Sequence, residues 1–340
     1  MMDKRLLIAI TAGILTILAL PALAAPDYAE LRDSIETGHA RPGYAHFAEK
    51  AAGLDRAVRG HCKHTAEAPD RLLAAQTAFH DALDAWQAVQ HIRSGAIAEK
   101  DRHARLQFWP DQRGIAERHM RKLLAEPLSD TLMDDIATTS VALQGFPALE
   151  RLLFGSQPLS QQVIEPEKAA RCPVAAAISH NIAEIAGTLA AATRQVDDKT
   201  YVTDAVNDLV VGIEFIQALK LKLPAGARKP RPFLLENWRS QRSLRNVEIN
   251  LRALRELYKL MAEKLPGGGA RVDEILTGFE DIRREISTLG ENGKAALNEV
   301  GGPKRVKALA ASLENLRSAI GKSMPDVLGI TLGFNSLDGD

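Results

Sequence analysis

The chain has 340 residues, with 43 Lys+Arg against 43 Asp+Glu, 46% hydrophobic residues and 5% aromatic ones. Zero formal charge excludes a globally basic nucleic-acid or membrane-surface protein, because such partners need a positive footprint that displaces counterions. The composition fits a folded globular chain with room for one or two domains.

The N-terminal segment has the form of an export signal. Lys4 and Arg5 precede an apolar run from Leu6 to Leu20, Pro21 breaks it, and Ala22-Leu23-Ala24 supplies small residues for cleavage. The run is shorter than the roughly 20 residues of a membrane span. A signal peptide over 1–24, cut near Ala24 on the way to the periplasm, is therefore expected, and an uncleaved anchor is the alternative. Loss of Asp3, Lys4 and Arg5 leaves a net charge of −1. No later segment approaches the ~18 uninterrupted apolar residues of a span, so no transmembrane span is expected in the mature chain. An oxidising compartment allows the two cysteines, Cys62 and Cys172, to pair. Two buried free thiols are the alternative.

Helical periodicity dominates the remainder of the chain. Leu72, Phe79, Leu83, Trp86 and Val89 predict a helix from Pro69 to Arg93, stopped at Ser94-Gly95. Ser94 to Gly114, which contains Phe108-Trp109-Pro110-Asp111, breaks the pattern. Long irregular stretches in compact helical proteins are often functional. Further helices are predicted over Leu128–Phe154, with Gly155 as a C-cap, over Glu165–Gln195, interrupted early by Pro173, and over Val202–Leu223, ended by Pro224. A second irregular stretch, Pro224 to Pro232, carries Arg228, Lys229 and Arg231. Phe233–Leu265 is the longest helical pattern, closed by Pro266 and a Gly267-Gly268-Gly269 linker, and Asp273–Leu289 and Lys304–Ile320 complete the set. Alternating runs are almost absent, and β-branched and aromatic content is low. The fold class is all-α, with two antiparallel helical bundles expected over 25–199 and 200–340. Phe79–Gly95 and Phe233–Arg245 each place a Trp five to seven residues after a Phe, then Arg and Ser, which hints at a duplication.

Few residues point to chemistry. Nine histidines occur, but no His-Glu-x-x-His, no Gly-x-Ser-x-Gly and no phosphate-binding Gly-rich loop. His61, His64 and Glu67 share helical spacing and could hold a metal or form a solvated face. The segment from Gln144 to Gly155 says more. Pro147 lies inside an apolar helical pattern and predicts a bend. Gly145 lets another backbone come close. Glu150, among apolar neighbours, is expected to turn inward toward a cation, an arginine or a metal. Arg93, Arg113 and Arg242 are its candidate structural partners.

This segment resembles the Gly-x-His-x-x-Glu signature of the imelysin family, also called peptidase family M75. Gly145 and Glu150 match it, and Pro147 stands where the histidine belongs. The stretch Trp86–Arg93, the Phe108–Asp111 loop, Glu236-Asn237-Trp238-Arg239-Ser240 and the tail from Leu328 to Asp340 are similar to a periplasmic branch of that family. The resemblance implies an all-α, duplicated two-domain protein, exported and tied to iron uptake, with its site in a cleft between the domains. It also implies iron or another divalent metal as a cofactor, for which Glu150 is the one candidate ligand. Proline neither ligates metal nor moves protons, so His91 or His119 would have to supply the missing imidazole.

Two functions are expected on these grounds. The first is a non-enzymatic periplasmic binding or scaffold protein that takes a small anionic ligand or an iron species and works with envelope iron-uptake proteins. Its cleft would be lined by Trp86, Arg93, Trp109, Asp111 and Arg113 from the first half. Gly145 and Glu150 of the motif would join them, with Trp238, Arg239, Ser240 and Arg242 from the second half. Arginine forks suit carboxylate and phosphate groups, and Trp faces hold rings or cations. Glu150→Ala and Arg242→Ala are then expected to lose ligand without unfolding. The second function is a metal-dependent peptidase, which needs a bound metal and an activated water.

Overall fold

The computed structural model describes residues 26–63, 69–155, 167–265 and 269–333. The export signal, His64 and Glu67, Gly267 and Gly268, and the tail from Phe334 onward lie outside them. Among the described residues there are helices and no strand. Helix α1, Tyr28–Ile35, starts at Asp27, whose carboxylate accepts the N–H groups of Ala29 and Glu30, both at 3.0 Å. A wide turn, Glu36–Ala40, carries the chain into α2, Arg41–Cys62. Then come α3, Pro69–Gln87, the short α4, Arg102–Leu106, and α5, Ile115–Ala125. After α6, Leu132–Asp135, α7 spans Gly145–Phe154 and α8 spans Glu167–Ala191. The second half holds α9, Asp198–Phe215, continued by a wide turn, Ile216–Lys222, and by α10, Leu223–Ala225. Helices α11, Ser243–Ala262, α12, Gly269–Leu289, α13, Gly293–Asn298, and α14, Gly302–Leu328, complete it.

Two apolar cores organise these helices. Phe47 of α2, Phe79 and Trp86 of α3, Phe146 of α7 and Ile178 and Ile182 of α8 belong to one. Val206 of α9, Leu254 of α11, Phe279 of α12 and Leu313 of α14 belong to the other. Leu31 and Ile35 of α1 also lie in this second core, so the first helix crosses over before α2 begins. Helix α8 is long and apolar enough over Ala169–Ala191 to cross a membrane. Here Val174, Ile178 and Ile182 of that stretch are fully buried in the first core. Cys62 at the end of α2 forms a disulfide with Cys172 in α8, with Cα atoms 5.4 Å apart.

Three predicted elements differ in detail. Leu128–Phe154 is not one helix, because the chain turns before Gly145, which has φ +70°. A Cβ there would lie 2.2 Å from the Leu106 carbonyl oxygen and 2.3 Å from that of Arg105. The glycine thus lets α7 begin against the backbone of α4. Pro147 falls in the first turn of α7, where its missing N–H has no intrahelical partner in any case. It starts the helix and does not bend it. Within Phe233–Leu265 a single 3-10 turn ends at Leu234 and the α-helix starts only at Ser243, since Asn237 and Gln241 sit at φ +47° and +63°. Helix α8 runs through Pro173 without a break.

Candidate functional site

The non-helical stretch before α11 forms the centre of the junction between the two cores. Glu236 and Asn237 lie there almost fully buried. The wide turn after α9 presents Lys220, whose Nζ lies 2.7 Å from Glu236 Oε2 and is equally buried. Within hydrogen-bond distance of Nζ also lie Gln87 Oε1 and Gln90 Oε1, each at 2.7 Å, and Asn250 Oδ1 at 2.6 Å, so four acceptors share its three N–H groups. Glu236 accepts further bonds from Gln90, Gln107 and Asn246 at 3.0, 3.1 and 2.8 Å. Burial pushes the Lys220 pKa down to about 8, against the pull of Glu236. A dry ion pair survives only when such bonds satisfy its remaining donors and acceptors. Amides from α3 and the loop after it meet charges from the second half here, so the network ties the halves together.

Beside it lies the motif carboxylate. Glu150 on α7 is 2% exposed. Its Oε1 accepts the backbone N–H of Ser240 at 2.9 Å and the Ser240 hydroxyl at 2.5 Å. Burial raises its pKa, opposed by Ser240, then Arg239 and Arg151. Arg151 pairs with Glu117 and lies 4.0 Å from Asp111, while Arg239 lies 3.9 Å from Glu117. Asp111 caps α5 by accepting the N–H groups of Ile115 and Ala116, both at 2.9 Å. Of the residues singled out by sequence, the fold thus brings Glu150, Ser240, Arg239 and Asp111 into one neighbourhood, with Gly145 at the start of the helix that carries Glu150.

Above this cluster an open cleft of about 640 Å³ runs between Phe154 and Gly155 of the first half and α13 of the second. Trp238 lines it, with the Arg239 guanidinium 4.3 Å and the Lys294 ammonium 5.7 Å from the ring. Gln241, Asn292 and Asn298 complete the polar lining. Two cations and three amides, with no carboxylate among the described lining residues, make the cleft locally positive in a chain of zero net charge.

The remaining expected residues sit elsewhere. Trp86 is fully buried, its ring centroid 5.5 Å from that of Phe47 and 5.3 Å from that of His103, so it is core and faces no ligand. Trp109 donates to the Leu234 carbonyl at 3.1 Å and meets Phe215 edge-on. Arg93 lies over Phe215 at 4.8 Å with Nη1 3.1 Å from His103 Nδ1, and burial lowers its pKa to about 10. Arg113 is exposed on the turn before α5. Arg242 spends its fork on Asp84 of α3, at 2.6 and 2.7 Å, and on Glu291 at 3.0 Å. It is a tie between the halves, so its loss acts on the fold and not on a ligand alone. Lys220, Lys294 and the buried amides escaped the sequence reading. The available signal was spacing on α11, because Asn246 and Asn250 share a helix face with apolar residues.

The site does not fit a divalent metal. Pro147 replaces the motif histidine, and Oε1 of Glu150 is spent on Ser240. His91 faces His39, with Nε2 atoms 2.9 Å apart, and His119 faces the Ser140 hydroxyl at 3.1 Å. Among the described residues no three His, Cys, Asp or Glu side chains converge as a ligand set.

The fold recurs in solved structures. An imelysin-like protein from Psychrobacter arcticum 273-4 superposes with a TM-score of 0.73 at 16% identity, covering 92% of this chain and all of that one. A Parabacteroides distasonis ATCC 8503 protein named iron-regulated protein A precursor superposes with a TM-score of 0.68 at 13% identity, covering 88% of this chain and 96% of that one. No curated protein sequence matches the chain. The imelysin (Peptidase_M75) family profile matches residues 40–320. The motif glycine seats one helix on another, the motif glutamate closes the junction between the halves, and the chain belongs to the imelysin family.

Proposed function

We propose that this protein is an exported, non-peptidase binding or scaffold protein serving iron uptake, and that a small anionic ligand, such as an iron chelate, occupies the cleft over Trp238. The observation that carries the reading is the pairing of Arg239 and Lys294 on one indole in an open cleft with no carboxylate among its described lining residues. Guanidinium and ammonium groups grip carboxylates and phosphates, and the aromatic ring supports the ligand's apolar part. The link to iron draws on the resemblance to an iron-regulated protein and on the family. Export to the periplasm draws on the Lys4–Ala24 segment. The two cores are read as two bundles of an old duplication, with the cleft at their seam. Envelope iron-uptake proteins are the proposed partners.

The test is titration of the purified protein with ferric citrate and with citrate alone, followed by tryptophan fluorescence and calorimetry. Saturable binding is expected, weakened at least tenfold in the Arg239→Gln, Lys294→Gln double variant and several-fold in Lys294→Gln alone, with melting unchanged in Lys294→Gln. Absence of binding to the unaltered protein, or equal binding by the double variant, overturns the reading. Stoichiometric zinc with chelator-sensitive peptide cleavage would install the metal-dependent peptidase in its place.

A further inference from the structure

A second cavity, distinct from the Trp238 cleft, lies where α1 and α9 of one core face α2 and the end of α8 of the other. It encloses about 100 Å³. That is smaller than the roughly 150 Å³ apolar cavity that accepts a benzene molecule, so it admits an occupant of four or five heavy atoms. Its apolar wall includes Ile35, Ile92, Ile97, Leu189 and Leu257. Its polar lining includes Asp208 of α9, Tyr44 of α2 and His39 of the wide turn, along with Glu36, Ser94, Thr193 and Tyr201.

These polar groups are unequally served. Arg194, which also lines the cavity, pairs with Asp204 and donates to Ser94 at 2.9 Å. Arg41 at the rim pairs with Glu36 at 2.6 Å. Asp208 is 7% exposed and accepts from the Ser94 hydroxyl at 3.3 Å. Among the described residues no cationic side chain forms an ion pair with its carboxylate. Burial holds its pKa up to about 7, against the pull of the Arg93 N–H and guanidinium and of Ser94. The Tyr44 hydroxyl is buried with no hydrogen-bond partner. Burial lowers the His39 pKa to about 4, against the pull of Glu256, so this imidazole is neutral at pH 7. A carboxylate held by hydrogen bonds but no ion pair, a phenol without a partner and a neutral imidazole already bonded to His91 therefore face a small apolar-walled space. Buried polar groups of this kind carry a cost until something bonds them.

We propose that this cavity binds a compact aliphatic primary ammonium, with its nitrogen between Asp208 and Tyr44 and its hydrocarbon end against Ile35, Ile97 and Leu189. The ammonium adds a counter-charge in direct contact to the one Arg93 exerts from beyond ion-pair distance, and it donates to the phenol oxygen; the chain length follows from the volume. A carboxylate of the same length would meet Asp208 as a like charge.

The experiment uses the full protein at pH 8, where Asp208 is ionised, with n-butylammonium chloride as the probe, followed by calorimetry and ligand-observed NMR. Sodium butyrate, with the same number of carbons, and n-butanol, with the same number of heavy atoms, serve as control probes. Saturable butylammonium binding is expected, at least tenfold tighter than either control. Asp208→Asn is expected to weaken it at least tenfold, and Tyr44→Phe three- to tenfold. Tyr44→Phe removes only an unpartnered hydroxyl, so it folds at least as well as the parent and keeps the test valid if Asp208→Asn does not fold. No saturable binding, butyrate binding as tight as butylammonium, or full affinity in Tyr44→Phe each overturns the proposal and leaves the cavity to water.

Discussion

At the residue scale the decisive pair is Lys220 and Glu236. Each is 1% exposed, and each meets the other as its only opposite charge within salt-bridge reach among the described residues. Removing one partner strands the other charge in a dry site, which typically costs about 3–5 kcal/mol. Lys220→Met is therefore expected to lose about that much in urea unfolding, and the Lys220→Met, Glu236→Gln double variant to recover most of it. Equal losses in single and double variants would show that the amides around the pair, and not the charges, hold the junction. The sequence could not reveal this pair. Lys220 lies on a helical pattern whose charged residues ordinarily face solvent, and only the wide turn at Ile216–Lys222 swings it inward. Glu150 is the contrasting case. Its apolar neighbours announced a buried carboxylate, but its partner is the Ser240 N–H and hydroxyl and none of the three arginines its charge suggested.

At the element scale, helix identity was legible and helix ends were not. The apolar period of α3, α9, α12 and α14 survives because each buries one stripe against a core. The starts of α7 and α11 depend on backbone angles that periodicity does not encode. Gly145 combines φ +70° with two carbonyl oxygens where a Cβ would sit. Gly145→Ala is expected to cost about 2–4 kcal/mol, from left-handed strain plus displacement of α4. The check is chemical denaturation, with hydrogen exchange showing whether the loss of protection is centred on Arg102–Leu106. A loss below about 1 kcal/mol would mean that α7 and α4 shift apart freely. Pro147 teaches the same point from the other side. A proline that reads as a kink within Leu128–Phe154 is a good first-turn residue once Gly145 ends the preceding segment. The loop at 235–242 looked helical because Leu234, Leu235 and Trp238 keep a helical spacing, while its role is to carry Glu236, Asn237 and Ser240 into the junction.

At the scale of the whole molecule, covalent and polar ties join parts far apart in the chain. The Cys62–Cys172 bridge spans 110 residues. In the chain-entropy picture a loop of that length stabilises by roughly 4–5 kcal/mol. The Cys62→Ser, Cys172→Ser variant is expected to lose a comparable amount in urea, and the unaltered protein to show the same loss in reductant. A loss confined to one of the two conditions would assign the effect to something other than the bridge. The second long tie joins α1 to α14. Tyr28 donates its hydroxyl to the Leu328 carbonyl at 2.5 Å, and Leu31 and Ile35 enter a core built otherwise by elements from α9 to α14. This sets an order of assembly. Helix α1 leaves the ribosome ahead of the other described helices, yet its seat is made from the second half of the chain. Its apolar stripe stays without a partner while α2 to α8 are made, and contacts 300 residues apart are among the slowest to close. The earliest of these helices waits for α9 and α11 before it is housed, and its hydrogen bond between residues 28 and 328 closes only once the end of α14 has been made.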